Sequence, residues 1–314
     1  MAKAKAIKSI LEFLQNPEAR MQDFQDLSKV PDVPQEAIER YMPRNRPATL
    51  DGGLLEPENA ARIEEIAREG AQRGGLEWYN LDPLRSAFVE ELGEGGTDAF
   101  NRFVDYTAAT SPRAKVTENI RRGSYFYQQD RLGNQVGGLT KHDLPKGYGH
   151  MAHKTHDHKL REIEENGGLL PLQSPKTASF AENLKGNQRP VTVDTHNMAA
   201  LKDDATWRKS PADTQYRYLE EFQTDIADKL GMTPAQLQAS VWVAGDTGVA
   251  NTQPFIAAFD EVLKRTAKKN GVSQDRALKD FINGKEPLWG IAALMSGLQL
   301  MDDGPTDGLL APEA

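Results

Sequence analysis

The 314-residue sequence contains no cysteine, which excludes disulfides and points to a reducing compartment or a fold that makes no use of them. It has no apolar run near eighteen residues, so no membrane-spanning helix is expected. The N-terminal stretch MAKAKAIKSILEFLQ is basic and amphipathic but has no long apolar segment and no clear small-residue cleavage site. It reads as an ordinary first helix, with a cytoplasmic location expected for the protein. Internal repeats are absent and strand patterns scarce. Only Arg131 to Leu139 suggests a hairpin. Basic charge is also lacking overall, with a formal net charge of −8, which taken alone speaks against a nucleic-acid partner.

What is present is helical periodicity. Phe100, Phe103, Val104 and Ala108 fall at helical intervals, as do Leu219, Phe222, Ile226 and Leu230, and the pattern predicts an all-α fold. Helices are expected at about 57–73, 82–92, 97–109, 114–128, 150–165, 175–185, 195–203, 211–230, 234–245, 255–269 and 273–283. Others are expected at 5–15, 18–29, 35–42 and 287–300. Ser210-Pro211 and Thr233-Pro234 are helix starts, while Gly231 and Gly271 are stops. The Pro- and Gly-bearing stretch from Pro43 to Pro57 reads as a linker closing an N-terminal extension of residues 1–56, and 301–314 as a disordered tail.

The most informative stretch runs from Leu169 to Met198, LLPLQSPKTASFAENLKGNQRPVTVDTHNM, and sets Lys176 eighteen residues before Asp194. A helix-length apolar pattern (Ala178, Phe180, Ala181, Leu184) and a polar loop (Lys185 to Arg189) separate them, so the chain can fold back and bring amine and carboxylate together. A neutral amine attacks an electrophilic carbon, and a carboxylate takes its proton or stabilises positive charge. The plainer reading is local: Ser174 as N-cap with Pro175 in the first turn, and Asp194 as N-cap of a helix beginning near Thr195.

Leu-Pro, a short turn, Lys-Thr-Ala, a helix, then Val-Thr-Val-Asp-Thr-His resembles the signature of the helix-hairpin-helix DNA glycosylases, the superfamily of endonuclease III and the adenine glycosylases. Upstream, Tyr106 to Gln128 resembles the family's paired helices that wedge into the duplex, and Lys146 to Glu165 the helix before the hairpin. The resemblance covers roughly residues 99 to 200. It implies a two-lobed fold, with 110–205 as the motif-bearing lobe and 57–109 paired with 211–300 as the other. It makes Lys176 the nucleophile and Asp194 the catalytic carboxylate, acting on a base flipped out of DNA. DNA contacts then fall on Thr110, Ser111, Arg113, Thr117, Arg121, Arg122, Tyr148, His150, Gln173, Ser174 and His196. In the family the hairpin turn is usually glycine-rich, so that its N–H groups can approach a phosphate. Here it reads Leu172, Gln173, Ser174, Pro175, and Pro175 has no N–H. The absence of cysteine excludes the family's iron–sulfur cluster, and no cofactor is expected.

Charge distribution is consistent with that partner. Residues 110–190 carry thirteen lysines and arginines against eight acids, a surplus of five positive charges that leaves the rest of the chain at −13. Five of the six histidines lie between His142 and His158. On a helix His150, His153 and Asp157 would share a face, as a metal site would require, but contact with phosphate or base is the preferred reading and no metal is expected. Two alternatives accompany the glycosylase expectation: a bacteriophage amino acid:DNA transferase of thymine hypermodification, and a noncatalytic DNA-binding or virion-associated protein.

Overall fold

A computed structural model describes residues 57–112, 114–170, 174–202, 213–245 and 253–288. The expected helices at 5–15, 18–29 and 35–42, nearly all of 287–300, the linker and the tail lie outside the described residues. The chain is all-α, and among the described residues there is no strand. In order the helices are α1 (Pro57–Gln72), α2 (Asp82–Leu92), α3 (Gly96–Ala109), α4 (Val116–Arg131), α5 (Lys154–Asn166) and α6 (Pro175–Leu184). They continue with α7 (Thr195–Lys202), α8 (Asp213–Leu230), α9 (Pro234–Ala244), α10 (Phe255–Asn270) and α11 (Gln274–Ile282).

Helix α9 lies at the centre. Thr233 and Gln236 close a reciprocal capping box at its start, with Gln236 N donating to the Thr233 hydroxyl at 3.2 Å and Thr233 N to Gln236 Oε1 at 3.0 Å. Every residue from Ala235 to Val241 is buried, as expected of a helix that is packed on all sides. Its two faces serve different cores. Ala235, Ala239 and Val243, four residues apart, join a large aromatic cluster in which Phe88, Phe103, Tyr127, Phe259 and Phe281 of α2, α3, α4, α10 and α11 pack edge to face. Leu237 and Val241 join a second cluster with Ile63 and Ala67 of α1, Leu219 and Ile226 of α8, and Val191, Val193 and Leu201.

Residues 191–201 pack with α1 and α8 in the second cluster and are tied to α6 through the Thr192 hydroxyl and Asn183. Tyr216 Oη of α8 joins this backbone, accepting from Val193 N at 3.1 Å and donating to Val191 O at 2.7 Å, beside the direct bond from Val193 N to Val191 O at 3.0 Å.

The hairpin expected at 131–139 is absent, and the segment runs as turns and irregular chain. Carboxylates of α5 take the place of a partner strand. Gly137 N donates to Glu164 at 3.2 Å and Gly138 N to Asp157 at 2.6 Å. Gly137 also lies so close to Arg161 that an added Cβ would come within 2.6 Å of its side chain.

The tightest approach is between α1 and α9. A Cβ on Gly70 would fall 1.8 Å from the Ser240 carbonyl oxygen, and one on Gly75 would fall 2.5 Å from Ser240 Cα. Only glycine permits that backbone contact. Gly70→Ala is therefore expected to destabilise the fold by about 3 kcal/mol, the upper range for overpacking. Gly95→Ala, at a position with nothing within 4 Å, should stay within about 0.5 kcal/mol of wild type. Chemical denaturation of the two variants measures both.

Candidate functional site

Helix α6 carries Lys176 and is fixed at both ends by acids. At its start, Glu162 of α5, 3% exposed, accepts from Leu170 N and, at 3.4 Å, from the Ser174 hydroxyl. Ser174 occupies the N-cap position of α6, but its hydroxyl makes no capping bond. At the other end Lys185 Nζ lies 2.7 Å from Asp105 Oδ1 of α3, and Arg85 donates to the Lys185 carbonyl. Burial raises the Asp105 carboxyl above the usual range, partly offset by Lys185. Burial would lower Lys185, but Asp105 and Glu182 outweigh it and raise its pKa.

The chain then returns to α6 through one amide. Asn183 Nδ2 donates to the carbonyls of Asn187 and Pro190 at 2.9 and 2.8 Å, and Asn183 Oδ1 accepts from the Thr192 hydroxyl at 2.8 Å. This fold-back sets Asp194 opposite Lys176, with Oδ2 3.9 Å from Nζ. Asp194 also N-caps α7. Its Oδ1 accepts from His196 N at 3.0 Å and Asn197 N at 2.7 Å, leaving Oδ2 for the lysine. Asp194 thus caps α7 with one oxygen and faces Lys176 with the other.

The pair lies on the wall of a cavity of about 690 Å³. Its remaining walls come from distant parts of the chain. Trp78 and Tyr79 precede α2, Phe180 lies on α6, and Gln238 and Trp242 are carried by α9. The indoles of Trp78 and Trp242 meet edge to face at 4.8 Å. Burial, and secondarily the Asp194 charge, raises the Tyr79 phenol well above its usual range, against a lowering contribution from Thr192. Lys176 is the more open member of the pair, its side chain 43% exposed against 18% for Asp194. Lys159 of α5 is buried. Its pKa is lowered by that burial and, next, by the charge of Lys176.

Of the other expected site residues, Ser111, Thr117 and His196 also line the cavity. Thr110 is fully buried behind the wall, its hydroxyl 2.9 Å from both Tyr106 O and Asn119 Oδ1, and it presents nothing to a duplex. Tyr148 is packed against Tyr125 at 4.9 Å, with burial pushing its phenol up to about 12, so its ring is unavailable for stacking on a base. Ser174 is engaged with Glu162 as described. Arg121 and Arg122 both bind Glu118, at 2.6 and 3.0 Å, so part of their charge is already met. His150 is exposed and edges onto His156 at 6.1 Å. Arg113 and Gln173 lie outside the described residues.

The histidine cluster disperses. His153 caps α5 by accepting from Thr155 N at 3.3 Å, His158 bonds the Lys154 carbonyl, and His156 is buried against Ala109 O at 3.3 Å, where burial lowers its pKa to about 4. Among the described residues no group of three or more His, Asp or Glu is placed to hold a metal ion, and no helix is long and apolar enough to cross a membrane. Sequence reasoning missed Trp78, Tyr79, Gln238 and Trp242. The Trp-Tyr pair after Gly74-Gly75 was the one local signal for them.

A family profile matches residues 58–251, nearly the whole stretch that builds the cavity. The chain belongs to a family of unknown function, DUF7178. No curated protein and no solved structure matches it. Within this DUF7178 chain the match takes in both Lys176 and Asp194 and all the aromatic walls named above.

The two roles of Asp194 are separable. Asp194→Asn keeps an oxygen for the α7 cap and should leave stability within about 0.5 kcal/mol, whereas Asp194→Ala removes the cap and should cost about 1 kcal/mol. Thermal melts of the two variants side by side check this.

Proposed function

We propose that this chain is a glycosylase-like enzyme acting on a base flipped out of DNA, using Lys176 and Asp194 to break the N-glycosidic bond. The observation that carries the reading is the meeting of these two side chains at 3.9 Å on the wall of an aromatic-lined cavity. A helix-hairpin-helix, two-lobed arrangement with an N-terminal extension is part of the same proposal. Supporting it, the lysine is the more exposed partner, placed to meet a sugar carbon entering from solvent, while the carboxylate sits further in. A fixed carboxylate stabilises a positive charge that develops beside it.

In the proposed reaction the C1′–N bond electrons leave with the base, which takes up a proton. The neutral amine of Lys176 forms a bond to C1′, and the proton then lost from Nζ passes to Asp194. Opening of the sugar ring with protonation of its oxygen gives an imine, from which elimination can cleave the strand.

Lys115 and Lys176 are the cations lining the cavity, and Asp194 is the one carboxylate among the described lining residues. That local surplus suits a phosphate backbone even in a chain of net charge −8. The glycine-poor turn fits less well as a phosphate grip, because Glu162 already takes the Leu170 N–H and the Ser174 hydroxyl. DNA contact is therefore assigned to the cavity mouth rather than to the turn.

Mass spectrometry of defined DNA duplexes incubated with the protein tests the reading. A released base is the expected product, and Asp194→Asn should slow its release by on the order of 100-fold with folding intact. DNA that gains the mass of an amino acid would replace hydrolysis by transfer at the same site. Unchanged DNA across bases and modifications, or an Asp194→Asn rate within a few-fold of wild type, would overturn the proposal.

A further inference from the structure

Asp194 lies in a stretch of backbone that one helix grips on both sides. Along α8, Tyr216, Glu220 and Gln223 follow at helical spacing, so their side chains leave a single face. All three are buried, and a buried polar face requires partners. Before Asp194, Tyr216 Oη bonds Val193 N and Val191 O, and Glu220 Oε1 accepts from Val191 N at 3.1 Å. After Asp194, Gln223 holds Asn197. Asn197 Nδ2 donates to Gln223 Oε1 at 3.0 Å, and Gln223 Nε2 donates to Asn197 Oδ1 at 3.1 Å. Gln223 Nε2 also donates to Leu219 O at 3.2 Å. A carbonyl only accepts, so this last bond fixes which end of Gln223 is nitrogen and, with it, the orientation of both amides. Asn197 and Gln223 are each 0% exposed, and a fully paired buried network admits one arrangement.

The consequence falls on the carboxylate. His196 N and Asn197 N fix Asp194 Oδ1, so the direction left to Oδ2 follows from where the first turn of α7 lies. Helix α7 has eight residues, too few to hold a position without tertiary contacts. Its far end is tied to α1 by Arg62, which donates to the Ala200 and Leu201 carbonyls at 3.0 and 2.8 Å. Its first turn is tied to α8 by Asn197. Among the described residues none of α8 lines the cavity. We infer that α8 aims Asp194 at Lys176, with Tyr216 and Gln223 as positioning residues that act through the backbone on either side of the carboxylate and touch no ligand themselves. The catalytic meaning of this aim rests on the proposed use of the Lys176–Asp194 pair.

Zero-length crosslinking of the full chain with a water-soluble carbodiimide reads this placement without DNA, because the amide forms only between a carboxylate and an amine that can touch. Peptide mapping of wild type should return Asp194 joined to Lys176. Gln223→Met removes both amide ends at similar volume, and Tyr216→Phe removes only the hydroxyl. Each should lower the yield of that crosslink several-fold in protein that still melts cooperatively. Phe281→Leu loosens the aromatic cluster, to which α8 does not contribute, and as the control for lost stability should keep the wild-type yield. Should Gln223→Met not fold, Tyr216→Phe decides alone. A crosslink absent from wild type, undiminished in the folded variants, or lowered equally by Phe281→Leu would overturn the inference. Where base release is measured, Gln223→Met and Tyr216→Phe should lower kcat and leave KM near its wild-type value, and a change confined to KM would also overturn it. Base release with an undiminished crosslink overturns this inference alone, whereas a diminished crosslink with no DNA product in wild type overturns the enzymatic reading alone.

Discussion

The structure depends on α9 being buried on every side. A helix so enclosed has no solvent face, and its neighbours must approach its backbone closely. Gly70 and Gly75 meet that demand by resting directly on Ser240. With α1 seated there, the two faces of α9 each complete a different hydrophobic cluster, so one helix ties both together. The same rigidity extends to the cavity. Gln238 and Trp242 project from α9 into it, and side chains on a fully packed helix hold their positions better than side chains on loops.

Against that fixed wall, the Lys176–Asp194 pair is placed by buried polar groups rather than by apolar packing. Glu162 holds Leu170 and Ser174 at the start of α6, Asp105 and Lys185 hold its end, and the Asn183 amide returns the chain toward Asp194. Such groups are costly to bury and are tolerated when fully paired. Their use here is positional. Removing any one would leave its partner unsatisfied and shift Lys176 relative to Asp194, and a change of that kind acts on geometry before it acts on chemistry. The lysine and carboxylate themselves meet only loosely, at 3.9 Å.

Much of this was legible in the chain. Helix positions from residue 57 to 282 followed from apolar period, prolines at first turns and glycines at stops, and observed ends fall within a few residues of those expected. The Lys176–Asp194 meeting was legible because both lie in one local helix and loop, where spacing alone constrains the approach. The cavity walls were not. Trp78 and Gln238 are separated by most of the domain, and no local pattern encodes a wall assembled from α9 and the turn before α2. Within the basic segment, the net charge count did not show that Glu118, three and four residues before Arg121 and Arg122 on α4, binds both. Tyr148 and Thr110 likewise read as surface groups because sequence shows chemical type but not burial. The hairpin at 131–139 failed since Glu164 and Asp157, distant in sequence, supply the acceptors that a strand would have supplied.

The central claim is that Lys176, rather than any other lysine near the cavity, is the group that meets the sugar carbon. Peptide mapping of the protein after borohydride reduction in the presence of duplex DNA bearing abasic sites addresses it directly, because an abasic aldehyde accepts any amine and position alone decides which one reacts. The account predicts that the reduced adduct maps to the peptide containing Lys176, with Lys115 and Lys159 unmodified. An adduct distributed over surface lysines, or concentrated on Lys115, would contradict it.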